Sequence, residues 1–200
     1  TLGMEVSRHK SHTGMTTPDT VMLQSMLQQG HKQKALYACL ETSSHGLAQG
    51  RLEGINFQIG IFTNLTQDHL DYHRNMDAYY RAKRRLFEYM LFSSRKQPES
   101  AKGAIICIDD EYGKKLYEWL KSQNPSFPVI SLSQREKSAD ALVTDVEATF
   151  DGYSCVLLFA QKSYFIKTKL LGRFNLMNLS ASYLALLCLG FGTEEALAAI

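Results

Sequence analysis

The stretch GAIICIDDEYGKKLYEWLKSQNPSFPVISL (103–132) decides the fold. Gly103 to Ile108 reads as a strand, Glu111 to Lys121 as a helix, and Val129 to Leu132 as a further strand. Strands that alternate with helices build βαβ units and a mainly parallel sheet. Upstream, Phe57 to Thr63 is near-continuously apolar, which predicts a strand buried on both faces. Ala35 to Leu40 predicts an earlier buried strand that ends at Glu41. A polar segment, Asn64 to His73, leads into a long helix over about Met76 to Phe92, and Ser93 to Lys102 reads as an exposed loop. Thr17-Pro18-Asp19 signals a helix start with Thr17 as N-cap, running to about Gln29 and ended by Gly30. The first 14 residues carry no periodicity and read as irregular.

Downstream of residue 138 the pattern changes. Ala141 to Phe150, Tyr153 to Ala160 and Ser163 to Leu170 are strand-like with little between them, and Asp151-Gly152 is a hairpin signal. An apolar helix follows over about Phe174 to Leu189, and a last helix begins near Thr193. The expected architecture is α/β: a mainly parallel sheet flanked by helices over 15–138, an added antiparallel β-ribbon over 139–171, and helices over 172–200.

Composition narrows the function classes. Among 200 residues, 44% are hydrophobic and 21% charged, ordinary for a globular chain with a real core. The net charge of +2 gives no electrostatic case for nucleic acid or for an anionic membrane. The longest apolar stretch, Tyr183 to Leu189, is far too short to span a bilayer. No signal-peptide pattern is visible. Cys39, Cys107, Cys155 and Cys188 are widely spaced and sit in apolar runs, which predicts buried free thiols in a reducing, cytoplasmic setting.

Ligands of open α/β sheets bind at the carboxyl ends of the strands. Two polar clusters follow predicted strands there: ETSSH (41–45) and TNLTQDH (63–69). Carboxylate and hydroxyl oxygens suit a hard cation such as Mg²⁺, which often binds phosphate alongside. The competing reading is that these residues cap the helices that follow. Lys83 is more pointed. On a helical wheel it shares an arc with Tyr79, Leu86, Phe87 and Met90, while Arg81, Arg84, Arg85 and Glu88 take the opposite side. A buried ammonium is costly, and a desolvated lysine turns into a neutral amine that serves as base, imine former or CO₂ acceptor. A lysine whose stem packs while its head reaches water is the other reading.

His69 and His73 are four residues apart, but the segment lacks the glutamate of HExxH and no other histidine or cysteine cluster adds ligands, so structural zinc is not expected. Thr16 and Thr17 precede a helix N-terminus, where free N–H groups attract anions; capping by Thr17 is the plainer alternative. Asn175 and Asn178 share one face of a first helical turn, placed either to read a base edge or to cap the helix.

Together TTPDT (16–20), LETSSHGLAQGRLEG (40–54), FTNLTQDHLDYHRNMDAYYRAKRRLF (62–87) and GRFNLMN (172–178) resemble the Mur ligase family, in order and spacing, over nearly the whole chain. The resemblance is nearest to the branch that extends UDP-N-acetylmuramoyl-L-alanyl-D-glutamate by a diamino acid, either meso-diaminopimelate or L-lysine, in peptidoglycan precursor synthesis. It implies a P-loop NTPase-like central domain and ATP-dependent amide synthesis through an acyl phosphate. It also implies two Mg²⁺ ions, the UDP-muramoyl dipeptide and a diamino acid as substrates, and a cytoplasmic monomer. Carried over by motif, Glu41 would ligate the Mg²⁺ shared with ATP and His69 would help hold the second ion. Lys83 matches a carbamylated lysine that serves that second ion, so Lys83 and His69 are the expected catalytic pair. Thr16, Thr17, Ser43, Gln49 and Arg51 match substrate-binding positions, and Asn178, with Asn175 beside it, matches the ATP contact near adenine.

The departures are specific. No Gly-x-x-Gly-Lys-Thr loop occurs in the chain, so it reads as an interior piece of such a ligase, an incomplete central domain inactive alone. Met15 stands where close relatives often have asparagine, Arg74 replaces a common glycine, and Thr42 a common valine. Two alternatives remain at this point: the central domain of another Mur-type ligase or a folylpolyglutamate synthetase, and a non-catalytic binding module that lost the phosphate loop.

Overall fold

The computed structural model describes residues 3–6, 9–12, 14–98 and 102–200. Gly3–Val6 (β1) and His9–His12 (β2) pair antiparallel, with Gly3 opposite His12 and Val6 opposite His9. The sequence suggests an irregular run over 1–14; a backbone ladder forms there instead. A ladder needs no apolar periodicity, which is why pattern reading passes over it. Residues 1, 2, 7, 8 and 13 of that run lie outside the described residues. The chain divides into two units, the first of which contains this hairpin: Thr1–Ile55 with Gln67–Tyr89, and Asn56–Thr66 with Met90–Ile200.

The first unit is helical and loop-rich. Its helices are α1 (Thr20–Lys32), α2 (Ser44–Ala48), α3 (Leu70–His73) and the first part of α4 (Met76–Lys96). The α1 cap corrects the sequence reading. Asp19, not Thr17, is the N-cap, and its carboxylate accepts from the Met22 N–H at 2.9 Å. Both residue types cap well, but Thr17 is buried and its hydroxyl is engaged elsewhere. Gly30 does not end α1 either; the helix continues to Lys32, and Lys34 takes the left-handed conformation beyond it.

Ala35 to Leu40 is not a strand. Leu36 is 88% exposed and Cys39 is exposed, so the expected burial of this run, and of its thiol, is overturned. Apolar composition favours a strand, yet a strand exists only where a neighbour completes its ladder. Along α4 the expected face holds: Tyr79, Leu86, Phe87 and Met90 are buried, and Arg84 pairs with Glu88 at 2.8 Å. The helix also runs through Ser93 to Lys96, which the sequence reads as loop. Residues 99–101 of that expected loop lie outside the described residues.

The second unit is built on a six-stranded sheet whose order follows the chain: β3 (Ile59–Phe62), β4 (Gly103–Cys107), β5 (Val129–Ser133), β6 (Ala141–Thr149), β7 (Gly152–Phe159) and β8 (Lys162–Thr168). The pairings from β3 to β6 are parallel, and those from β6 to β8 antiparallel. The ribbon therefore joins the parallel sheet through Leu132 opposite Ala141 and Ser133 opposite Leu142. Strands β4 and β5 are buried at every position. Strand β3, expected to be buried on both faces, lies at the sheet's edge and leaves Ile61 36% exposed.

Helix α5 (Glu111–Ser122) starts at Asp110, whose carboxylate accepts from the Gly113 N–H at 2.7 Å and from the Leu65 N–H at 3.1 Å. At Gly113 a Cβ would sit 1.9 Å from the Cys107 carbonyl oxygen, so α5 closes onto the end of β4 only through glycine. The core joins Ile105, Leu132, Val143, Leu157 and Ile166 of the sheet to Leu176, Tyr183 and Leu184 of α6 (Phe174–Cys188), and Ala196 of α7 (Thr193–Ala198) belongs to it. Cys107 and Cys155 are buried free thiols, and Cys188 is half-buried. Among the described residues no helix is long and apolar enough to cross a membrane.

Candidate active site

The polar centre of the first unit is the loop Glu41–Ser44, which opens α2. Thr17, 2% exposed, reaches it across 24 residues: its hydroxyl donates to the Glu41 carbonyl and accepts from the Ser43 N–H, both at 2.9 Å. Ser43 caps α2, its hydroxyl accepting from the Gly46 N–H at 3.1 Å. A Cβ on Gly46 would come 2.6 Å from Thr17 Cγ2, so glycine lets α2 rest against Thr17. The capping reading of ETSSH thus holds for Ser43, and Thr17 serves as a clamp rather than a cap.

Lys83 Nζ donates to the Thr42 carbonyl at 3.1 Å. Burial pulls this amine below the ordinary lysine range, and the Glu41 carboxylate pulls it part of the way back. The lone charge on the apolar face of α4 is thus aimed at the loop that carries Glu41. Arg85, two residues further along the same helix, donates to the Ala48 carbonyl at 2.9 Å and ties α2 at its other end.

A second chain of contacts links the expected substrate-binding residues. Arg51 donates to the Thr17 carbonyl at 2.7 Å, to Gln49 Oε1 at 2.5 Å and to Met15 Sδ at 3.3 Å. Gln49 in turn donates to the Tyr72 hydroxyl at 3.2 Å. Met15 meets Arg51 through sulfur. Thr16 is half-buried next to Thr17 in the chain.

The Ser44–His73 contact is the part that sequence reasoning missed. His73 is buried, with Nε2 at 2.9 Å from Ser44 Oγ. Its ring stacks on Tyr79 at 5.1 Å and 12°, and lies edge-on to Tyr72 at 4.8 Å. His45 stands 5.1 Å from the His69 ring and 5.5 Å from that of His73. Desolvation lowers the His73 pKa; His45, His69 and Lys83 lower it further, and Asp71 opposes them. His69 itself is left-handed (φ 53°), with its N–H on Asp68 Oδ1 at 2.7 Å and its ring edge-on to Tyr79. The only sequence signals were the His69/His73 spacing and the histidine that ends ETSSH. Among the described residues no three His, Cys, Asp or Glu side chains form a group that could hold a metal. Glu41 provides a single hard carboxylate, which suits Mg²⁺ in the mode where phosphate oxygens complete the shell.

Asn175 and Asn178 belong to the second unit. A cleft of about 320 Å³ opens past the carboxyl ends of β3, β4 and β5, and Asn64, Gln134, Arg135, Phe174 and Asn178 are among its lining residues. This is where the strand rule expects a ligand. Asn178 faces the cleft, with its amide 3.4 Å from Asn175 Oδ1. Asn175 donates to the Leu171 carbonyl at 2.8 Å, so its amide holds the preceding turn and does not cap α6, whose N-cap is Arg173 without a side-chain bond. Behind the cleft Asp109 accepts from the Ser133 hydroxyl and from the Gln134 N–H, which fixes the loop after β5.

Comparison with known proteins agrees with this architecture. Residues 1–186 match the family described as Mur ligase middle domain, and the chain belongs to that family. It is 43% identical over 176 residues to a UDP-N-acetylmuramoyl-L-alanyl-D-glutamate–2,6-diaminopimelate ligase of Neisseria meningitidis serogroup B, covering 88% of this chain and 34% of that protein. A protein of the same name from Chromobacterium violaceum is 36% identical over 199 residues, covering 99% and 38%. The chain therefore spans about a third of the length of these relatives. A solved structure of a ligase of that name superposes with a TM-score of 0.82 at 32% identity, covering 98% of this chain and 39% of the other. A MurF structure from Acinetobacter baumannii shares the fold at 22% identity and a TM-score of 0.58, covering 72% and 28%.

Proposed function

We propose that residues 1–200 form the middle-domain part of an ATP-dependent amide ligase. It joins a diamino acid to UDP-N-acetylmuramoyl-L-alanyl-D-glutamate in peptidoglycan precursor synthesis, as a cytoplasmic monomer. The observation that carries this reading is the 43% identity to a relative named for that reaction. A Thermotoga maritima MurF ligase with a similar fold is seen in complex with ADP, which supports nucleotide use.

In this reading the dipeptide carboxylate attacks the γ-phosphorus of ATP, giving an acyl phosphate and ADP. The diamino acid's amine then attacks the acyl carbon, and the tetrahedral intermediate expels phosphate to leave the amide. Thr17, Ser43, Gln49 and Arg51, with Thr16, bind and orient the dipeptide. Asn178, with Asn175, contacts the nucleotide near adenine. Glu41, His69 and a carbamylated Lys83 would hold Mg²⁺, which when bound neutralises phosphate charge. The lowered Lys83 pKa favours the neutral amine, the form that adds CO₂ and sheds a proton to become a carbamate.

The test is Lys83→Ala in the native gene product that contains these residues, read by phosphate release. Activity falls by about a thousandfold, the scale of a lost electrostatic contact to the reacting groups, and short carboxylic acids restore part of it. Undiminished activity would sink the carbamate role.

A further inference from the structure

The loop that carries Glu41 and Ser43 is held residue by residue, and each hold comes from a different place in the chain. Thr17 fixes the Glu41 carbonyl and the Ser43 N–H, Lys83 fixes the Thr42 carbonyl, and His73 fixes the Ser44 hydroxyl. The last contact is the most enclosed. Ser44 is 1% exposed and His73 is 7% exposed, and the two lie 29 residues apart. A buried polar pair that loses one member leaves the other unsatisfied, which costs more than the bond itself contributes.

The local backbone is bent to deliver this ring. His69 at one end of α3 has φ 53°, and Arg74 at the other has φ 66° and ψ −35°. The Asn75 N–H bonds the His73 carbonyl at 2.8 Å, so Arg74 sits at the centre of a tight γ-like turn. Strain of this kind persists only where its surroundings over-determine it. Here the surroundings are Tyr79, stacked on the His73 ring, and Tyr72, edge-on to it. Tyr79 precedes Lys83 by one turn of α4, so the platform under His73 and the amine on Thr42 share one rigid helix face.

We infer that His73 is a positioning residue: through Ser44 it sets the first turn of α2, and with it the placement of Glu41 and Ser43 toward substrate. The inference rests on the function proposed above and deepens it, since neither His73 nor Ser44 has a role in that scheme.

The experiment measures binding of the UDP-muramoyl dipeptide to the native gene product by calorimetry, without ATP or metal, beside KM and kcat. His73→Phe keeps a ring on Tyr79 and loses the bond to Ser44. Its Kd and dipeptide KM rise about tenfold, the loss of one buried hydrogen bond. Ser44→Ala, which removes a single oxygen and tests the same bond should His73→Phe fold poorly, gives a similar rise. The double variant is no worse than either alone, and His73→Gln, whose amide can reach Ser44, recovers most of the affinity. A purely structural role would lower the amount of competent protein and leave Kd unchanged. Wild-type binding with Kd unchanged in Ser44→Ala, or additive losses in the double variant, would overturn the inference. Wild-type protein that binds no dipeptide would overturn the proposed function, and the inference with it.

Discussion

The sheet unit and the loop unit solve the same problem by different means. Residues of β4 and β5 satisfy their backbone in the ladder and bury side chains on both faces, so neighbours in the sheet do most of the holding. The Glu41–Ser44 loop has no ladder, and its backbone groups are met by side chains of Thr17 and Lys83 from far along the chain. The first arrangement spreads its energy over many small apolar contacts. The second concentrates it in a few hydrogen bonds, each with a distinct address. The residues proposed to carry the chemistry sit in the second kind of structure, where one altered side chain shifts one group.

This contrast can be broken or sharpened by substitution. Leu157 is fully buried at the centre of the sheet core, and Leu157→Ala should lower stability by about 3 kcal/mol. Chemical denaturation reads it, and the loss should appear as lowered protection across β4 to β8 in hydrogen exchange. Thr17→Val keeps the shape of the clamp but removes both hydrogen bonds of its hydroxyl, at a cost of about 2 kcal/mol. Its exchange signature should be confined to residues 41–46; a loss spread over the sheet unit would erase the distinction drawn here.

Arg74→Gly should act in the opposite direction. Relief of the positive-φ strain should raise the melting midpoint, by about 1 kcal/mol of stability. The smallest effect is on pH dependence. The folded-state pKa of His73 lies below its ordinary value of 6.5, so between the two values the unfolded chain binds more protons. This contribution is intact above pH 6.5 and is lost as pH falls through the folded pKa. His73→Gln should flatten that part of the stability–pH curve, and an unchanged slope would show that the ring titrates freely.

What was legible in the sequence follows the same division. The strands from 103 onward could be read because apolar runs and a hairpin signal at Asp151-Gly152 are local, although the turn itself falls on Phe150-Asp151 and Gly152 opens β7 opposite Thr149. Ala35 to Leu40 has the same apolar signal but no ladder, and a partner strand is not a local property. Thr17 was read as a cap because Thr-Pro-Asp offers two capping residues within three positions; the contest is decided by Glu41 and Ser43, which lie more than twenty residues away. Lys83 stood out because its apolar neighbours recur at helical spacing. The Ser44–His73 pair did not, since nothing in either segment announces the other. The roles proposed for Glu41, Ser43, Gln49, Arg51 and Asn178 rest on the family resemblance, because spacing alone assigns none of them to ligand binding.

The order of the sheet bears on how the protein reaches its fold. From β3 to β8 each strand lies beside its predecessor in the chain, with no strand inserted between earlier ones. From β4 onward each pairing closes only the loop that precedes it, whereas β3 reaches β4 across the segment that holds α3 and α4. The β6–β7–β8 meander closes the shortest loops and offers the cheapest starting point. Growth can then proceed backward along the chain, as β5, β4 and β3 each dock on an edge already in place. Such a sheet suits assembly by sequential accretion, with amide protection spreading from the ribbon toward β3 during refolding.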